Sequence, residues 1–566
     1  MSQTVADYLV TDDLTILLGL IAATVFLVNN LYKPQPLVHP ILLGRQSDVG
    51  RARNPGESAV YRNYGTGLMG RFPIRPGKDV HILLDLVRAE TEGPRTLWGT
   101  KLTNRTLQDR AAALGTGLIR LAGLKPNQST VLLLLNDGFE FLLTDLALAS
   151  HGIVSYTLSS AKLLSSVLDS HRPSAIVTHA AMLPGILELI YDSDERQNEY
   201  TIVVVDELPR EVRAGVASNI KLLPFEDVER EGVRVEKILS PVPKPSDVFT
   251  ISLYEGKNGM IQGAQLTHEN FTAGVAAIHA LLPASHTFST LDTIASAHSL
   301  STAFGRAVAY TALYEGTGFA TLPSSIIYEG EDDHPSGSAD YRDLTRVMGY
   351  PIPFPTVLFL KPEHLRSTTD EILQHARKAS LLYRFGWRHK LAGITDGFLT
   401  RDSLWDRMLF DSARNRVLGK ISATTRAVIV SGGPVDADLM TPARIAFSVP
   451  VINTLSHPLV AAPVLASHAF DLQDFSLTGT SSQKPLPAHT GPPGVNVEVK
   501  LVGVDDEKVE SGGDPVGVMY VRGPPVAKLV NVEGYVEVPS GDDDGWTGLG
   551  VRAKVQTNGS FVEMID

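Results

Sequence analysis

Leu253-Tyr254-Glu255-Gly256-Lys257-Asn258-Gly259-Met260-Ile261-Gln262-Gly263, followed by Leu266-Thr267-His268, carries the glycine spacing of a loop that cradles phosphate. Glycines at such positions let backbone N–H groups approach an anion, and these loops normally add small hydroxyls and a lysine. Here Tyr254, Glu255, Lys257 and Asn258 stand where the hydroxyls belong, and Gln262 stands at the expected lysine. A carboxylate such as Glu255 beside a triphosphate is unfavourable. Each like-charge pair at about 4 Å costs roughly 4 kcal/mol at an effective dielectric of about 20, and about 1 kcal/mol in bulk water. Lys257 offsets part of that. The spacing is that of a nucleotide loop; the side chains are not.

Outward from the loop, other segments follow in a recognisable order. Gly117-Leu118 to Leu124-Lys125-Pro126 reads as a helix and turn, Val131 to Asn136 as a strand with its asparagine turn, and Glu140 to Asp145 as a helix. Arg401-Asp402-Ser403-Leu404-Trp405-Asp406-Arg407 and Ser431-Gly432-Gly433-Pro434-Val435 come next. Val521-Arg522-Gly523-Pro524, Gly534-Tyr535 and Asp544-Gly545-Trp546-Thr547-Gly548 close the series. Together these resemble the adenylate-forming (AMP-binding) superfamily, and specifically its long-chain acyl-CoA synthetases, from about residue 80 to the end. The resemblance implies an α/β fold: a large N-terminal domain of two sheet subdomains, parallel or mixed, with a small β-barrel. It implies ATP and Mg2+ as cofactors, CoA as co-substrate, and fatty acid or acyl-CoA as partner. It also places Gly256, Lys257, Gly259, Gly263 and Thr267 in the nucleotide loop, and Gly432 and Gly433 in the adenylate-site loop.

Departures from the family pattern bear on activity. After Val449-Pro450-Val451-Ile452 the family has an aromatic-Gly-x-Thr-Glu motif, whose glutamate helps hold the metal–nucleotide complex. This chain has Asn453-Thr454-Leu455-Ser456-His457-Pro458-Leu459. The family's Thr-Gly-Asp, whose aspartate grips the ribose hydroxyls, is Thr547-Gly548-Leu549. The end, Val562-Glu563-Met564-Ile565-Asp566, resembles the family's hinge, so the smaller C-terminal domain with its catalytic lysine is expected not to follow. No residue is assigned a catalytic role.

The 566 residues suffice for two or more large cores, and 43% apolar with 20% charged residues reads as globular. With 50 Lys and Arg against 62 Asp and Glu the net charge is −12, which gives no electrostatic case for nucleic acid. The absence of cysteine excludes disulfides, cysteine–zinc sites and thiol nucleophiles. Leu14 to Val28 is uninterrupted by charge and extends through Asn29-Asn30-Leu31-Tyr32. At 1.5 Å per residue that reaches about 28 Å, which predicts a transmembrane anchor over 14–32. Asp7, Asp12 and Asp13 precede it and Lys33, Arg45, Arg51 and Arg53 follow. A signal peptide is therefore not expected, and the body is predicted to face the cytosol. The short span favours the endoplasmic reticulum, with lipid droplet, peroxisome and mitochondrial outer membrane as alternatives.

Residues 33–79, rich in Pro, Gly and Arg, read as a linker on the domain surface. From 80 to 285 and from 286 to 490 helix and strand alternate, predicting two α/β subdomains with mainly parallel sheets. Asp247 to Leu253 is the strand feeding the loop, and Glu269 to Leu281 the helix after it. Residues 491–566 alternate Val with polar residues between Gly and Pro turns and predict a small β subdomain. Glu329 to Pro335 reads as an exposed charged loop, and Asp332-Asp333-His334 as a solvated turn rather than a metal site.

His268 is expected at a helix entry, bonded to backbone, and His298 lies in a segment, Ala297-His298-Ser299-Leu300, that resembles the family's stretch near the acyl tunnel. Ser252 and Ser431 lack a Gly-x-Ser-x-Gly elbow, so a hydrolase triad is not expected. Tyr310, Tyr314, Phe319 and Tyr328 are candidates for an acyl tunnel or for plain core. Three functions follow: a ligase-like protein with impaired adenylation that binds acyl ligands or acts as a scaffold, an active fatty acid–CoA ligase, or a pure interaction protein.

Overall fold

The computed structural model describes residues 13–31, 35–66, 71–89, 93–192, 199–207, 216–328, 339–473, 486–531 and 545–564. The charged loop at 329–335, Gly534-Tyr535 and Asp544 lie outside these. Three sheets organise the described residues. The first has eight strands in the order Lys528–Asn531, Ile261–Thr267, Val248–Glu255, Val154–Leu158, Thr130–Leu134, Ala175–His179, Tyr200–Val205 and Ile220–Pro224. Its pairs are parallel from Val248–Glu255 onward, as apolar strands such as Thr-Val-Leu-Leu-Leu at 130–134 require when helices cover both faces.

The second sheet is also eight-stranded and runs Leu465–Ala466, Val451–Leu455, Ala427–Val430, Val357–Leu360, Thr293–Ser296, Gly318–Thr321, Arg95–Leu97 and Thr100–Leu102. Its central pairs are parallel. The third, seven-stranded, is antiparallel and built largely from the Val-rich C-terminal segments. Ser47–Arg51 and Val60–Asn63, within the stretch expected as linker, add two strands to it.

Close helix packing rests on glycines. Helix Asn104–Leu121 crosses helix Phe225–Arg234 where a Cβ on Gly117 would lie 1.9 Å from the Val228 carbonyl oxygen, and one on Gly232 1.8 Å from that of Ala113. Helix Ala303–Glu315 is almost wholly buried and carries Arg306 and Tyr310 into the core. Arg306 donates to Leu300 O (2.8 Å), Thr250 Oγ1 (2.8 Å) and Thr157 Oγ1 (3.1 Å), and lies 3.4 Å from Asp145 Oδ1. Tyr310 donates to the other Asp145 oxygen.

One expectation is corrected. Asp13–Leu31 is a 19-residue helix, but no helix among the described residues is long and apolar enough to cross a membrane. The uncharged apolar run from Leu14 to Val28 reaches only about 22 Å at 1.5 Å per residue, short of a hydrocarbon core of about 30 Å. Asp13, Asn29-Asn30 and Leu31 make up the rest of the helix. The transmembrane anchor is overturned, and the membrane partner and endoplasmic-reticulum placement lose their support with it.

Candidate functional site

The loop is the tip of a β-hairpin. Val248–Glu255 and Ile261–Thr267 pair antiparallel, with Glu255 opposite Ile261. Gly256 N–H donates to Met260 O (2.9 Å), Gly259 N–H to Gly256 O (2.9 Å), and Met260 N–H to Asn258 Oδ1 (3.2 Å). Gly259 needs to be glycine, because its φ of +74° closes the turn. Gly263 allows the strand Lys528–Asn531 to approach, since a Cβ there would meet Val530 Cγ2 at 2.7 Å. The Gln262 side chain folds back over the turn, 2.9 Å from where a Gly256 Cβ would sit. Lys257 Nζ donates to the carbonyl of Gly550 at 2.7 Å.

That contact brings three of the read motifs together. Gly550 follows Thr547-Gly548-Leu549 in the strand Thr547–Val555, where Leu549 is buried. His457, beyond the end of Val451–Leu455, hydrogen-bonds the Leu549 backbone, and burial pushes its imidazole down to about 4, with Lys257 nearby adding in the same sense. Burial raises the Glu563 carboxyl, opposed by Lys257. Thr267 faces the other way. Its Oγ1 accepts the Asn270 N–H (3.3 Å) while Asn270 Oδ1 accepts the Thr267 N–H (2.7 Å), so it caps helix His268–His279. His268 is buried, accepts the Leu83 N–H on Nδ1 (3.3 Å), and is pushed down to about 4 by burial. It is a helix-entry residue, as its position implied.

Gly432 and Gly433 sit in a second cluster, apart from the hairpin contacts. Gly432 has φ +92°, and a Cβ on it would lie 3.3 Å from His298 Cε1. Burial, with Lys361 and His364 nearby, pushes His298 down to about 3, and its Nε2 has no partner among the described residues. Asp137 Oδ1 accepts from Ser299 Oγ (2.9 Å) and Leu300 N–H (2.8 Å); burial raises this carboxyl to about 6, while Ser325 and Lys361 oppose the shift. Asn136 holds the neighbouring segment by accepting from Ile327 and Tyr328 N–H, and the Tyr328 hydroxyl is buried beside Asp137. Asp137, His298, Ser325, Lys361 and Ser431 all follow the carboxyl ends of parallel strands, where open α/β sheets bind ligands.

Of the four aromatics considered for a tunnel, only Tyr328 reaches this cluster. Tyr310 serves the Asp145 network, Tyr314 lies under Arg88 and Phe319 packs on Trp98. Asp137, Lys361 and His364 were not singled out by sequence, because none stands in a motif; only their shared position after strand ends marks them. His364 Nε2 contacts both Ser324 Oγ (3.2 Å) and Asp343 Oδ2 (3.0 Å), so one nitrogen serves both neighbours and a relay of nucleophile, base and acid is not formed. Ser252 Oγ pairs with Thr157 Oγ1 inside the first sheet. Among the described residues no group of three or more His, Asp or Glu is arranged to hold a metal.

A family model described as "AMP-binding enzyme" matches residues 89–530. The rat "Long-chain-fatty-acid--CoA ligase 5" is 24% identical over 474 residues, covering 81% of this chain and 63% of that protein. The Arabidopsis thaliana "Long chain acyl-CoA synthetase 6, peroxisomal" is 23% identical over 456 residues, covering 77% and 58%. The chain thus spans less than two thirds of the length of these relatives. Among solved structures, the N-terminal domain of FACL13 from Mycobacterium tuberculosis matches with a TM-score of 0.56 at 12% identity, covering 86% of this chain and 100% of that one. ATP-bound MatB from Rhodopseudomonas palustris matches with a TM-score of 0.55 at 16% identity, covering 86% and 78%. These likenesses establish the adenylate-forming α/β fold.

Proposed function

This chain belongs to the AMP-binding enzyme family, and from that premise we propose a long-chain fatty acid–CoA ligase-like protein with impaired adenylation, which binds a fatty-acyl ligand or serves as a scaffold in lipid metabolism. Family membership and ATP-bound structural neighbours support ATP use by resemblance; Mg2+ and CoA enter by resemblance alone. The impairment rests on one observation. The hairpin's Gly256, Gly259 and Met260 N–H groups are bonded within the turn, and Lys257 is given to the Gly550 carbonyl. A triphosphate arriving here has to displace those bonds and meets the Glu255 carboxylate. Gln262 offers no charge, and buried Leu549 offers no acceptor to a ribose.

These residues fit a magnesium triphosphate poorly. Adenylation is carried by positioning and electrostatics, and losing one stabilising group commonly costs about 10²–10³ in rate, roughly 2.7–4 kcal/mol. The losses do not simply add. An active ligase is the second reading, favoured by the retained Ser431-Gly432-Gly433-Pro434 loop beside His298.

Fatty-acid-dependent exchange of labelled pyrophosphate into ATP, with magnesium and a range of chain lengths, decides between them. No exchange above a variant lacking residues 256–262 is expected from folded protein. Clear exchange overturns the impairment. Absence of both exchange and any acyl ligand, whether added or co-purified, leaves a pure interaction protein.

A further inference from the structure

Away from both clusters, a cleft of about 260 Å³ opens between the N-terminal segment and the C-terminal end of helix His268–His279. Val38 and Leu43 form one wall, Ala277 and Leu281 the other, and Val495 closes it. The cleft is open to solvent on one side and lined mainly by apolar side chains with a few polar groups, the make-up of a small-ligand site. An engineered apolar cavity of about 150 Å³ admits benzene; in proportion this one admits an alkyl chain of roughly ten carbons.

The lining carries two exposed donors, Arg45 and His468, while the buried Asp471 carboxylate behind them is bonded by Gln46 and lies near His468. Arg45 lines the mouth of the cleft, exposed, 6.0 Å from the Tyr64 ring centroid and with no acidic partner among the described residues. His468 lines it too, accepts the Phe470 N–H on Nδ1 (3.1 Å), and therefore carries its proton on Nε2 as a donor. Gln46 gives its Nε2–H to Asp471 (2.8 Å), and its buried Oε1 has no donor among the described residues. A cation and an imidazole N–H at the end of an apolar slot complement a single-chain amphiphile with an anionic head.

We propose that this cleft is a binding site for a medium-chain alkyl carboxylate, with the chain between Leu43 and Ala277 and the carboxylate on Arg45 and His468. The site is separate from the hairpin and stands whether or not the protein adenylates anything.

Photolabelling the full chain with a diazirine-bearing decanoic acid and mapping the labelled peptides tests it. Adducts are expected within 38–46, 277–281 or 463–468, competed by decanoate and several-fold less well by decanol. Arg45→Gln, a surface change that leaves the fold intact, is expected to weaken decanoate about three- to fivefold, in the range of an exposed ion pair, and to leave decanol unchanged. Ala277→Trp, checked for an unaltered unfolding transition, is expected to remove the adducts at least tenfold. Labelling confined to other peptides overturns the proposal, as does labelling indifferent to both variants. Cross-links that seat helix Asp13–Leu31 or a second copy of the chain in the cleft, and exclude the probe, overturn it as well.

Discussion

Arg306 has no water to fall back on. It is fully buried, surrounded by Phe141, Phe249 and Phe271, and its charge is answered by Asp145, itself buried and bonded by Tyr310. Removing one partner of such a pair leaves an uncompensated buried charge and costs about 3–5 kcal/mol, more than the pair itself contributes. Arg306→Met is therefore expected to destabilise by that amount in urea unfolding, and Arg306→Met with Asp145→Asn by distinctly less. A double variant as unstable as the single one would show that packing, not charge, sets the cost. None of this was legible in the sequence, where Arg306 is one of 50 basic residues. The loop glycines were legible for the opposite reason. Gly256 and Gly259 answer to the turn they form, so spacing alone announces them, whereas the need for Gly263 comes from the distant strand at Val530, and Asp137, His298 and Lys361 meet only once strands distant in sequence are aligned.

Helix Asn104–Leu121 and helix Phe225–Arg234 set two rules against each other. In an exposed helix interior, Gly→Ala stabilises by up to about 1 kcal/mol. At Gly117 the added methyl would sit 1.9 Å from a backbone carbonyl that has nowhere to move. Overpacking typically costs about 1–3 kcal/mol, and with backbone as the obstacle the contact wins. Gly117→Ala is expected to lower stability by about 2 kcal/mol or more, while Gly185→Ala, with nothing within 4 Å in helix Leu183–Asp192, is expected to be neutral or stabilising. A stabilised Gly117→Ala would mean that the two helices do not cross so closely. Strand and helix identities were readable at this scale because burial on both faces writes continuous apolar runs, as in Val131 to Leu135. The hairpin's second strand was not, since Ile261 to Thr267 mixes Gly, Gln and Thr and becomes a strand through its partners on both sides. The N-terminal helix falls short of a span because its uncharged apolar stretch ends at Val28 and the polar Asn29-Asn30 follows.

The three sheets are tied by pairings that no local pattern announces. Lys528–Asn531 leaves the C-terminal region to join the hairpin, and Val60–Asn63, with Ser47–Arg51 as its local neighbour, pairs with Glu498–Val502 far along the chain. Burying titratable groups at the junctions has a consequence for the whole molecule. His298 is pushed down to about 3, and His268 and His457 to about 4, against about 6.5 in an unfolded chain. His151, His171 and His468 are depressed in the same sense; His279, bonded to Glu315, is raised. Asp137, raised to about 6 from 3.8, works against the histidines. Near pH 5 the unfolded chain holds protons on His268, His298 and His457 that the folded chain lacks, while the folded chain holds one on Asp137. For these four groups the balance is about two protons taken up on unfolding, which by itself lowers stability with falling pH at roughly 2–3 kcal/mol per unit. Above about pH 7.5 these groups have the same charge in both states, and their contribution is complete. It is lost as the pH falls toward the folded values near 4 and 3. Urea midpoints measured from pH 7.5 to 5 should therefore hold steady at first and then drop steeply below about 6.5. A midpoint that stays flat or rises across that window would mean that the three imidazoles are reached by water in the folded protein, and that the junction between the sheets is more open than its packing implies.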